Sequence, residues 1–400
     1  MSQYDAGSRT HTSVRQLAAG SGGVGPLGDP LPDIRRIAVL RGGGLGDLLF
    51  AVPALYALAA AYPRARITLL GSAAHAALLS GRPGPVHDVL VLPATHTTWD
   101  EARHPAEDEF VERVRRERVD LGVQLHGGGA WSNPFLRQLE PRFTVGPCAT
   151  GAAALTRNLP FRYYQHEVLR WLEVAGLAGA PPVLLEPRIE LTAADVDAAA
   201  AAVRGLPGPI VTLHPGATDG RRRWPAADFA AVAAYCLRRG LGVVIVGVGA
   251  EGDTVARIDA EVRAAVPAEL ARDGLRTLLD ADMSTLCGVL ARSRVVIGND
   301  SGPRHLAAAV GTPTIGIYWI GNVVNAGPLG RGRHRVLISW TTRCPVCGQD
   351  VTDETLRRCP HDESFVAAVP VARVRAELDD LLATGQDRAV EDPRTASDGK

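Results

Sequence analysis

The sequence predicts an α/β fold with two doubly wound parallel sheets, one in each half of the chain. Short apolar runs alternate with stretches of helical length that are rich in Ala and Leu. A Pro-rich segment at residues 179–187 interrupts this alternation, and a second series of strands and helices follows it. A length of 400 residues also suits two domains better than a single core.

The first half contains five predicted strands with helices between them. Short apolar strands that alternate with helices indicate a parallel sheet covered on both faces. The helices are predicted to begin near Asp47, Ala73, Ala106 and Tyr164. The strands are predicted at residues 36–40, 66–70, 88–92, 121–125 and 143–145.

The second half repeats the pattern. Its strands are predicted at residues 209–213, 243–246, 276–278, 295–297 and 314–317. Its helices are predicted at residues 226–238, 252–265, 283–291 and 302–310. Ligands of such sheets bind beyond the carboxyl ends of the strands, so those loops are where we expect the functional site.

The domain boundaries follow from the same pattern. We predict one Rossmann-like domain at residues 35–180 and a second at residues 188–383, the latter with a cysteine-containing loop and a final helix. Residues 1–34 and 384–400 are polar and aperiodic, so they are predicted to be disordered tails.

The composition excludes several classes of protein. Lys and Arg number 43 together, as do Asp and Glu, whereas a nucleic-acid-binding protein normally carries a net basic domain. No apolar run approaches the roughly 18 residues that span a bilayer, and the N-terminus lacks the pattern of a signal peptide. These features predict a cytoplasmic protein.

A glycine-rich loop at residues 41–47 (RGGGLGD) joins the first strand to the first helix. Glycine turns at helix N-termini are natural anion sites, because free N–H groups point outward there. The loop departs from the dinucleotide fingerprint, since Asp47 replaces the third glycine and the second strand ends in Gly71 and Ser72 rather than in an acid. An oxidoreductase is therefore disfavoured. Asp47 itself is equally consistent with a helix cap and with a catalytic base.

One predicted strand of the second half is followed by the sequence HPGA, which contains His214 and Gly216, and then by Arg221, Arg222 and Arg223. Guanidinium groups donate several hydrogen bonds in a fixed fork that suits phosphate oxygens. We interpret this loop as a diphosphate clamp, with a solvated basic loop as the alternative.

Another strand, at residues 295–297, leads into Asp300, Ser301 and Gly302 and then into a helix that carries His305. The amides of Ser301 and Gly302 would point at an anion, and His305 would lie one turn along, where it could donate to a phosphate. The alternatives are a helix cap for Asp300 and a core position for His305.

Further acids follow two strands of the second half. Glu251 could accept hydrogen bonds from ribose hydroxyls or could serve the dipole of the next helix. Asp280 and Asp282 resemble the acidic metal-binding motif of another transferase class. Because they precede a helix, capping of its N-terminus explains them better.

Three of these segments together resemble glycosyltransferase family 9, the group of the ADP-heptose:lipopolysaccharide heptosyltransferases. They are residues 41–48 with the core GLGDL, residues 214–224 with HPGA and RRW, and residues 296–306 with VIGNDSGPRHL. Their order and spacing extend the resemblance over residues 36–382. The resemblance implies a GT-B architecture, in which two Rossmann-like domains face a central cleft.

The resemblance also implies an inverting, metal-independent transfer that requires no cofactor. Asp47 would take the proton of the acceptor hydroxyl, and Arg222 would stabilise the leaving diphosphate. The first domain would bind the acceptor, and the second would bind the nucleotide sugar, an ADP-linked donor of heptose type. The donor-binding residues would be His214, Gly216, Arg223, Glu251, Asp300, Ser301, Gly302 and His305, and the acceptor-side residues would be Gly44, Gly46 and His126.

The acceptor implied by the resemblance is a saccharide or a lipid-linked molecule, which would place the protein at the inner face of a membrane without a spanning helix. The loop at residues 125–131 (LHGGGAW) departs from the usual family pattern where the acceptor would be recognised. His126 and Trp131 are interpreted either as sugar contacts or as packing residues. A nucleotide-sugar epimerase and a non-catalytic nucleotide-sugar-binding protein are the alternative functions.

Four residues near the C-terminus have the spacing of a metal site. Cys344 and Cys347 form a C-x2-C pair, and Cys359 and His361 form a C-x-H pair. Three thiolates and an imidazole would close a tetrahedral structural zinc site. Reduced thiols and a disulfide are the alternatives, the disulfide being disfavoured in a reducing compartment.

Overall fold

Two six-stranded parallel sheets organise the protein, and the computed structural model describes residues 24–93 and 105–384. Both faces of the first sheet are covered. In its central strand β1 (Arg36–Leu40), Ile37 and Val39 belong to one buried cluster, whereas Ala38 and Leu40 belong to another. The predicted fold class is therefore confirmed.

The first sheet comprises β1 and five further strands, which are β2 (Arg66–Gly71), β3 (Asp88–Val91), β4 (Leu121–Gln124), β5 (Phe143–Cys148) and β6 (Arg157–Pro160). Their order is β3-β2-β1-β4-β5-β6, and every neighbouring pair is parallel. The helices of this half are α1 (Leu45–Ala61), α2 (Ala73–Leu79), α3 (Pro105–Arg116), α4 (Ser132–Gln138) and α5 (Glu167–Leu177).

The second sheet has the order β12-β11-β10-β7-β8-β9 and is also parallel throughout, its strands being β7 (Ile210–His214), β8 (Gly242–Gly247), β9 (Leu275–Leu279), β10 (Val295–Asn299), β11 (Thr314–Trp319) and β12 (His334–Ser339). The helices of this half are α6 (Ala193–Ala202), α7 (Ala226–Arg238), α8 (Gly252–Ala265), α9 (Ala268–Gly274), α10 (Met283–Arg292), α11 (Gly302–Ala309), α12 (Ile320–Ala326) and α13 (Val371–Thr384). In the described part of the chain, no helix combines the length and apolar character needed to span a bilayer.

The chain changes direction once within each sheet, and these switch points locate the site. In the first sheet, β1, β2 and β3 extend to one side, and β4 then returns to the other side of β1. In the second sheet, β10 returns beside β7 in the same way. The crevice beyond the carboxyl ends of strands at such a point is the usual ligand site of an open α/β sheet.

The strands predicted from apolar runs match β1–β5 and β7–β11 closely, but β6 and β12 were missed. Both are edge strands with weak apolar signals. In β6 (RNLP) only Leu159 is buried, and β12 (HRVLIS) begins with a histidine and an arginine. The prediction also missed α4, α6, α9 and α12, three of which have only seven residues.

The predicted N-terminal tail is wrong for residues 24–34. Leu31 and Ile34 are buried, and the Leu31 amide donates to the hydroxyl of Tyr62 at 3.0 Å. These apolar side chains cover the ends of α1 and α5, which explains why the segment packs. The predicted tails at residues 1–23 and 385–400 lie outside the described residues, and the domain boundaries stay a prediction.

The two halves meet along α1 and α11. Leu48 and Leu49 of α1 belong to the same buried cluster as Leu306 and Ala307 of α11. His166, at the start of α5, accepts a hydrogen bond from the Val168 amide at Nδ1, so its Nε2 carries the proton that it donates to the Gly327 carbonyl at 2.6 Å. The halves thus share one apolar core.

A buried ion pair reinforces this contact. Arg82, after α2, donates through Nη1 to Asp195 of α6 at 2.5 Å, and the two side chains are 6% and 0% exposed. Burial would raise the pKa of Asp195, but hydrogen bonds from Arg82 and Thr192 lower it below its ordinary value. The carboxylate is therefore charged across the neutral pH range.

We expect Asp195→Asn to lower the free energy of unfolding by about 3–5 kcal/mol, because it leaves the buried guanidinium of Arg82 uncompensated. Since the folded pKa of Asp195 is lowered, this difference is present at neutral pH and shrinks only as the pH falls through that pKa. Urea denaturation followed by circular dichroism measures it. Asp197→Asn, at an exposed position of the same helix, should cost less than about 0.5 kcal/mol. Equal stability of the two variants would contradict the prediction.

Candidate active site

The N-termini of α1 and α11 face each other across the cleft. A Cβ on Gly46 would lie 3.3 Å from the His305 ring and 3.7 Å from the Gly302 Cα, and a Cβ on Gly302 would lie 3.1 Å from the Leu45 Cβ. Only glycine lets the two helices approach this closely. Because both N-termini carry positive dipole ends and free amides, an anion is favoured between them.

Asp47 lies in the first turn of α1 at this junction. Its Oδ2 accepts from the Gly44 amide at 2.8 Å, and its Oδ1 lies 3.0 Å from Nη2 of Arg41. The side chain is nevertheless 51% exposed. Asp47 therefore caps the helix and still exposes its carboxylate to the cleft. Capping does not exclude a role for Asp47 as the catalytic base.

Arg41 holds Asp47 and the loop together, a function that the sequence did not suggest. Its guanidinium is almost fully buried and donates to the carbonyls of Asp47 at 2.8 Å and Leu125 at 2.6 Å. It also lies 3.5 Å from Glu167 and stacks on Trp171 at 4.9 Å. Its place at the end of β1, inside the glycine motif, was the available signal.

A second unpredicted residue, His75 of α2, supports the same loop. The Ser72 amide donates to its Nδ1 at 3.2 Å, so Nε2 carries the proton and donates to the Gly44 carbonyl at 3.0 Å. Burial lowers the pKa of His75 and outweighs that hydrogen bond. The neutral imidazole thereby fixes the acceptor-side loop that contains Gly44 and Gly46.

His126 lies in the loop after β4, on the acceptor side of the cleft. Its ring packs against Trp131 with centroids 5.0 Å apart and against the backbone of Gly42. Burial, followed by the charge of Arg41, lowers its pKa to about 4. His126 is therefore neutral at pH 7, and its contacts with Trp131 and Gly42 are those of a packing residue, which is one of its two predicted roles.

On the second sheet, His214 connects two other predicted residues. Its Nδ1 lies 2.8 Å from the Ser301 hydroxyl, and its Nε2 lies 3.4 Å from Glu251. Glu251 also accepts from the Val248 amide at 3.0 Å. Burial would raise the pKa of Glu251, but the His214 contact and the Val248 amide lower it. A Cβ on Gly216 would lie 1.5 Å from the Glu251 carboxylate, so that carboxylate covers the bare backbone of the HPGA turn.

The three arginines of the predicted clamp have different contacts. Arg221 pairs with Asp219 at 2.6 Å, and Arg223 donates through Nε to the Ala217 carbonyl at 2.9 Å. Arg222 alone of the three reaches the turn before α11, where its Nη1 lies 3.2 Å from Asp300. The structure therefore brings Arg222, and not Arg221, towards the predicted diphosphate position.

Asn299, at the end of β10, holds the arginine loop and the HPGA turn together. It is fully buried, accepts from the Trp224 amide at 3.0 Å and donates to the Pro215 carbonyl at 2.7 Å. The motif alone does not indicate this role, because the contacts of Asn299 join segments that lie far apart in the chain.

Asp300 uses its carboxylate for side chains rather than for capping α11. Its Oδ2 accepts from Asn322 at 2.7 Å and pairs with Arg222, and its Oδ1 accepts from Nε2 of His305 at 2.9 Å. Burial would raise the pKa of Asp300, but His305 and the two nearby arginines, Arg222 and Arg304, lower it well below its ordinary value. The buried carboxylate therefore stays charged.

His305 is enclosed between the two halves. Its ring meets Phe50 edge-on at 4.6 Å, and its Nδ1 lies 2.5 Å from Nη2 of Arg304. Burial, then the charge of Arg304, lowers its pKa to about 4. The neutral ring donates to Asp300 and accepts from Arg304, so a phosphate would compete with Asp300 for its N–H group.

The four predicted metal ligands converge, and their ligand atoms all lie within 4.8 Å of one another. The Gly348 amide donates to the Cys344 carbonyl at 2.9 Å and turns the chain after Cys347. The cysteines are reduced in the structure rather than joined as a disulfide. Three sulfurs and one imidazole nitrogen at this separation fit a tetrahedral zinc ion.

The cysteine-containing loop, residues 340–365, forms a wall of the cleft. The Phe365 amide donates to the Arg221 carbonyl at 2.7 Å, and the Ser364 hydroxyl donates to the Arg223 carbonyl at 2.6 Å. Between this loop, Arg222 and the exposed Tyr163–Tyr164 pair lies a cavity of about 910 Å³, including its open side. The loop therefore braces the arginine loop and borders the space in front of it.

Comparison with known proteins gives a family and related folds. The sequence model of glycosyltransferase family 9 (heptosyltransferase) matches residues 111–351, more than half of the chain. Lipopolysaccharide heptosyltransferase 1 of Pseudomonas aeruginosa is 26% identical over 308 residues, which cover 74% of this chain and 82% of that protein. Lipooligosaccharide heptosyltransferase 2 of Haemophilus influenzae is 32% identical over 111 residues, which span 28% of this chain and only 31% of that protein.

Solved structures agree on the fold. A glycosyl transferase family 9 protein from Veillonella parvula has a TM-score of 0.73 at 19% identity and covers 89% of this chain and 100% of its own. The E. coli heptosyltransferase WaaC with ADP-2-deoxy-2-fluoro heptose has a TM-score of 0.59 at 18% identity and covers 86% and 99%. The GT-B architecture implied by the resemblance is confirmed.

We expect Gly216→Ala to displace Glu251 from the HPGA turn, because the added Cβ cannot share space with its carboxylate. The displaced carboxylate would lose its contacts with His214 and the Val248 amide, which costs about 1–3 kcal/mol of stability, and urea denaturation measures it. Gly84→Ala is the control, since a Cβ there meets no atom within 4 Å. A Gly216→Ala protein as stable as the control would contradict the geometry of the Glu251 contact.

Proposed function

Because this chain belongs to glycosyltransferase family 9, we propose that it transfers a heptose-type sugar from an ADP-linked donor to a hydroxyl of a saccharide or lipid-linked acceptor. The observation that carries the proposal is the junction of α1 and α11. An exposed carboxylate, Asp47, stands on one side of the cleft, and a helix N-terminus with Arg222 beside it stands on the other. The choice of ADP and heptose rests on the named relatives and on the resemblance.

The donor side is assigned to the second half, residues 188–383. The free amides at the start of α11 and the guanidinium of Arg222 would bind the diphosphate. Arg223, exposed beside them, would add a second positive charge. Glu251 and His214 lie where ribose hydroxyls would reach the carboxyl ends of β7 and β8, and Gly216 leaves the room that the Glu251 carboxylate occupies beside the HPGA turn.

The chemical step would be a direct displacement with inversion. The acceptor oxygen attacks the anomeric carbon, a new glycosidic C–O bond forms, and the bond from that carbon to the diphosphate oxygen breaks. Asp47 takes the proton of the attacking hydroxyl. Arg41 fixes the Asp47 carboxylate in position, and Arg222 with the α11 amides stabilises the charge that develops on the leaving diphosphate. None of these roles requires a metal ion.

The acceptor side is assigned to the first half, residues 35–180. Gly44 and Gly46 leave room beside Asp47, and the loop with His126 lies across from them. The paired rings of Tyr163 and Tyr164, exposed in the 910 Å³ cavity with centroids 5.0 Å apart, offer apolar faces for a sugar ring. This side determines which acceptor is used.

We expect Asp47→Asn to retain binding of an ADP-sugar but to slow transfer by about 10²–10⁴-fold, the usual contribution of a general base. Donor binding is measured by calorimetry and transfer by release of ADP.

Arg222→Ala, in contrast, should weaken both donor binding and transfer in the same two assays, because it removes the charge that is proposed to bind the diphosphate.

Glu269→Gln is the matched control for Asp47→Asn, since Glu269 is an exposed acid in the first turn of α9, away from the cleft. It removes a first-turn charge without touching the site and should transfer as the parent does. An Asp47→Asn protein with parental turnover would exclude Asp47 as the base. Donor binding with no transfer by any variant, the parent included, would favour the non-catalytic alternative.

We also propose that Cys344, Cys347, Cys359 and His361 hold a structural zinc ion. The support is their convergence and the position of their loop against the arginine loop. A bound zinc would hold the cysteine-containing loop in its folded shape. Through Phe365 and Ser364, the loop would in turn fix the backbone of Arg221 and Arg223. The ion has no part in the transfer step.

Elemental analysis of the purified protein should find about one zinc per chain, and Cys359→Ser should lose the metal and melt at a lower temperature. Cys148→Ser, at a cysteine outside the cluster, should keep both. Because iron also accepts sulfur and imidazole ligands, the elemental analysis should measure both zinc and iron. Metal-free protein, or a disulfide found by mass spectrometry, would overturn the zinc assignment.

A further inference from the structure

A buried arginine on α11, Arg304, makes no direct ion pair with any of the described residues and meets the charge of Asp300 only across the His305 ring. Arg304 is 1% exposed, its guanidinium stacks on Tyr318 at 5.0 Å, and its Nη2 donates to the ring of His305. Within residues 24–93 and 105–384, no carboxylate lies within 4.0 Å of it, and its Nε has no hydrogen-bond partner. A guanidinium carries five donors, so most of its capacity is unused. Burying a charge without an opposite charge is costly.

The same arginine lines a cavity between the two halves. The cavity is a narrow space that opens to solvent, and most of its surface is apolar, with Phe50, Val168, Leu185 and Leu329 among its walls. A mostly apolar pocket with a few polar groups at one end is the usual form of a small-molecule site. Leu185 belongs to the segment that joins the halves, so the cavity lies on the hinge side.

His334 is a second buried polar group on the cavity wall. It is 7% exposed, and its Nδ1 bonds to the Thr314 hydroxyl at 3.0 Å. Burial, then the charge of Arg304, lowers its pKa to about 4, so the ring is neutral. Glu186 also borders the cavity, but its carboxylate lies against Gly330 and makes no ion pair with Arg304. Since Asp300 lies on the other side of the His305 ring, the guanidinium of Arg304 meets the cavity without a direct carboxylate contact.

We propose that this hinge cavity binds a small organic carboxylate, whose charged end pairs with Arg304 and whose apolar body lies against Phe50, Val168 and Leu329. The site differs from the donor site, because the ring of His305 separates the cavity from Asp300 and Arg222. A bound molecule would contact both halves and the joining segment, so its binding would add to the stability of the folded protein. The binding claim does not depend on the proposed transfer reaction.

Thermal denaturation of the full chain tests the proposal with hexanoate as the probe, at constant ionic strength and without nucleotide. Hexanoate should raise Tm in a saturable manner. Hexanol, which lacks the charge, and inorganic phosphate, which lacks the apolar body, should not. An equal rise in Tm with hexanol would show that binding does not need the charge. An equal rise with phosphate would show that binding does not need the apolar body. Either result would overturn the proposal.

Three variants locate the effect. Arg304→Met should abolish the hexanoate shift, and without hexanoate its Tm should stay near that of the parent, since it removes a buried charge that makes no direct ion pair. Ala308→Leu, which fills the cavity but keeps the guanidinium, should also abolish the shift. Arg222→Ala should keep it. A shift that survives Arg304→Met and Ala308→Leu, or that disappears in Arg222→Ala, would overturn the proposal, as would a strongly destabilised Arg304→Met protein.

Discussion

The close contact between the N-termini of α1 and α11 is the constraint on which the rest of the site depends. Gly46 and Gly302 have no side chains, and this permits the two helices to meet end to end at the crevice between the sheets. The contact brings two positive dipole ends together, fixes Asp47 opposite the start of α11, and places His305 against Phe50. A Cβ at either glycine would lie 3.1–3.3 Å from an atom of the opposite helix, so His305 or Leu45 would have to shift.

Around this junction, three acids are each paired with an arginine. Arg41 positions Asp47, Arg222 contacts Asp300, and Arg221 is kept by Asp219. These pairs set the directions of the charged groups before any ligand arrives, so little reorganisation is needed when negative charge develops on a diphosphate. Neutral histidines complete the arrangement. His75 and His305 connect loops through hydrogen bonds without adding charge.

Much of the fold was readable from the sequence, because buried parallel strands are continuous apolar runs and glycine turns mark their ends. The edge strands β6 and β12 escaped detection because only part of each is buried. Site residues inside the three motifs were found, whereas the functions of Arg41, His75 and Asn299 depend on partners that only the folded chain brings near. The burial of Arg304 was also unpredictable, since a charged residue in a polar motif is normally expected at the surface.

The apolar core shared by the two halves has a consequence for how the protein folds. Leu306, Ala307 and Tyr318 of the second half are buried in the same cluster as the side chains of α1 and β1. If the second half were folded alone, these side chains would be exposed to water, and burying a large one is worth about 1.5–3 kcal/mol. Each half therefore lacks part of the stabilisation that its own sheet requires. Although the chain forms two sheets, we expect its two halves to unfold together in one cooperative transition.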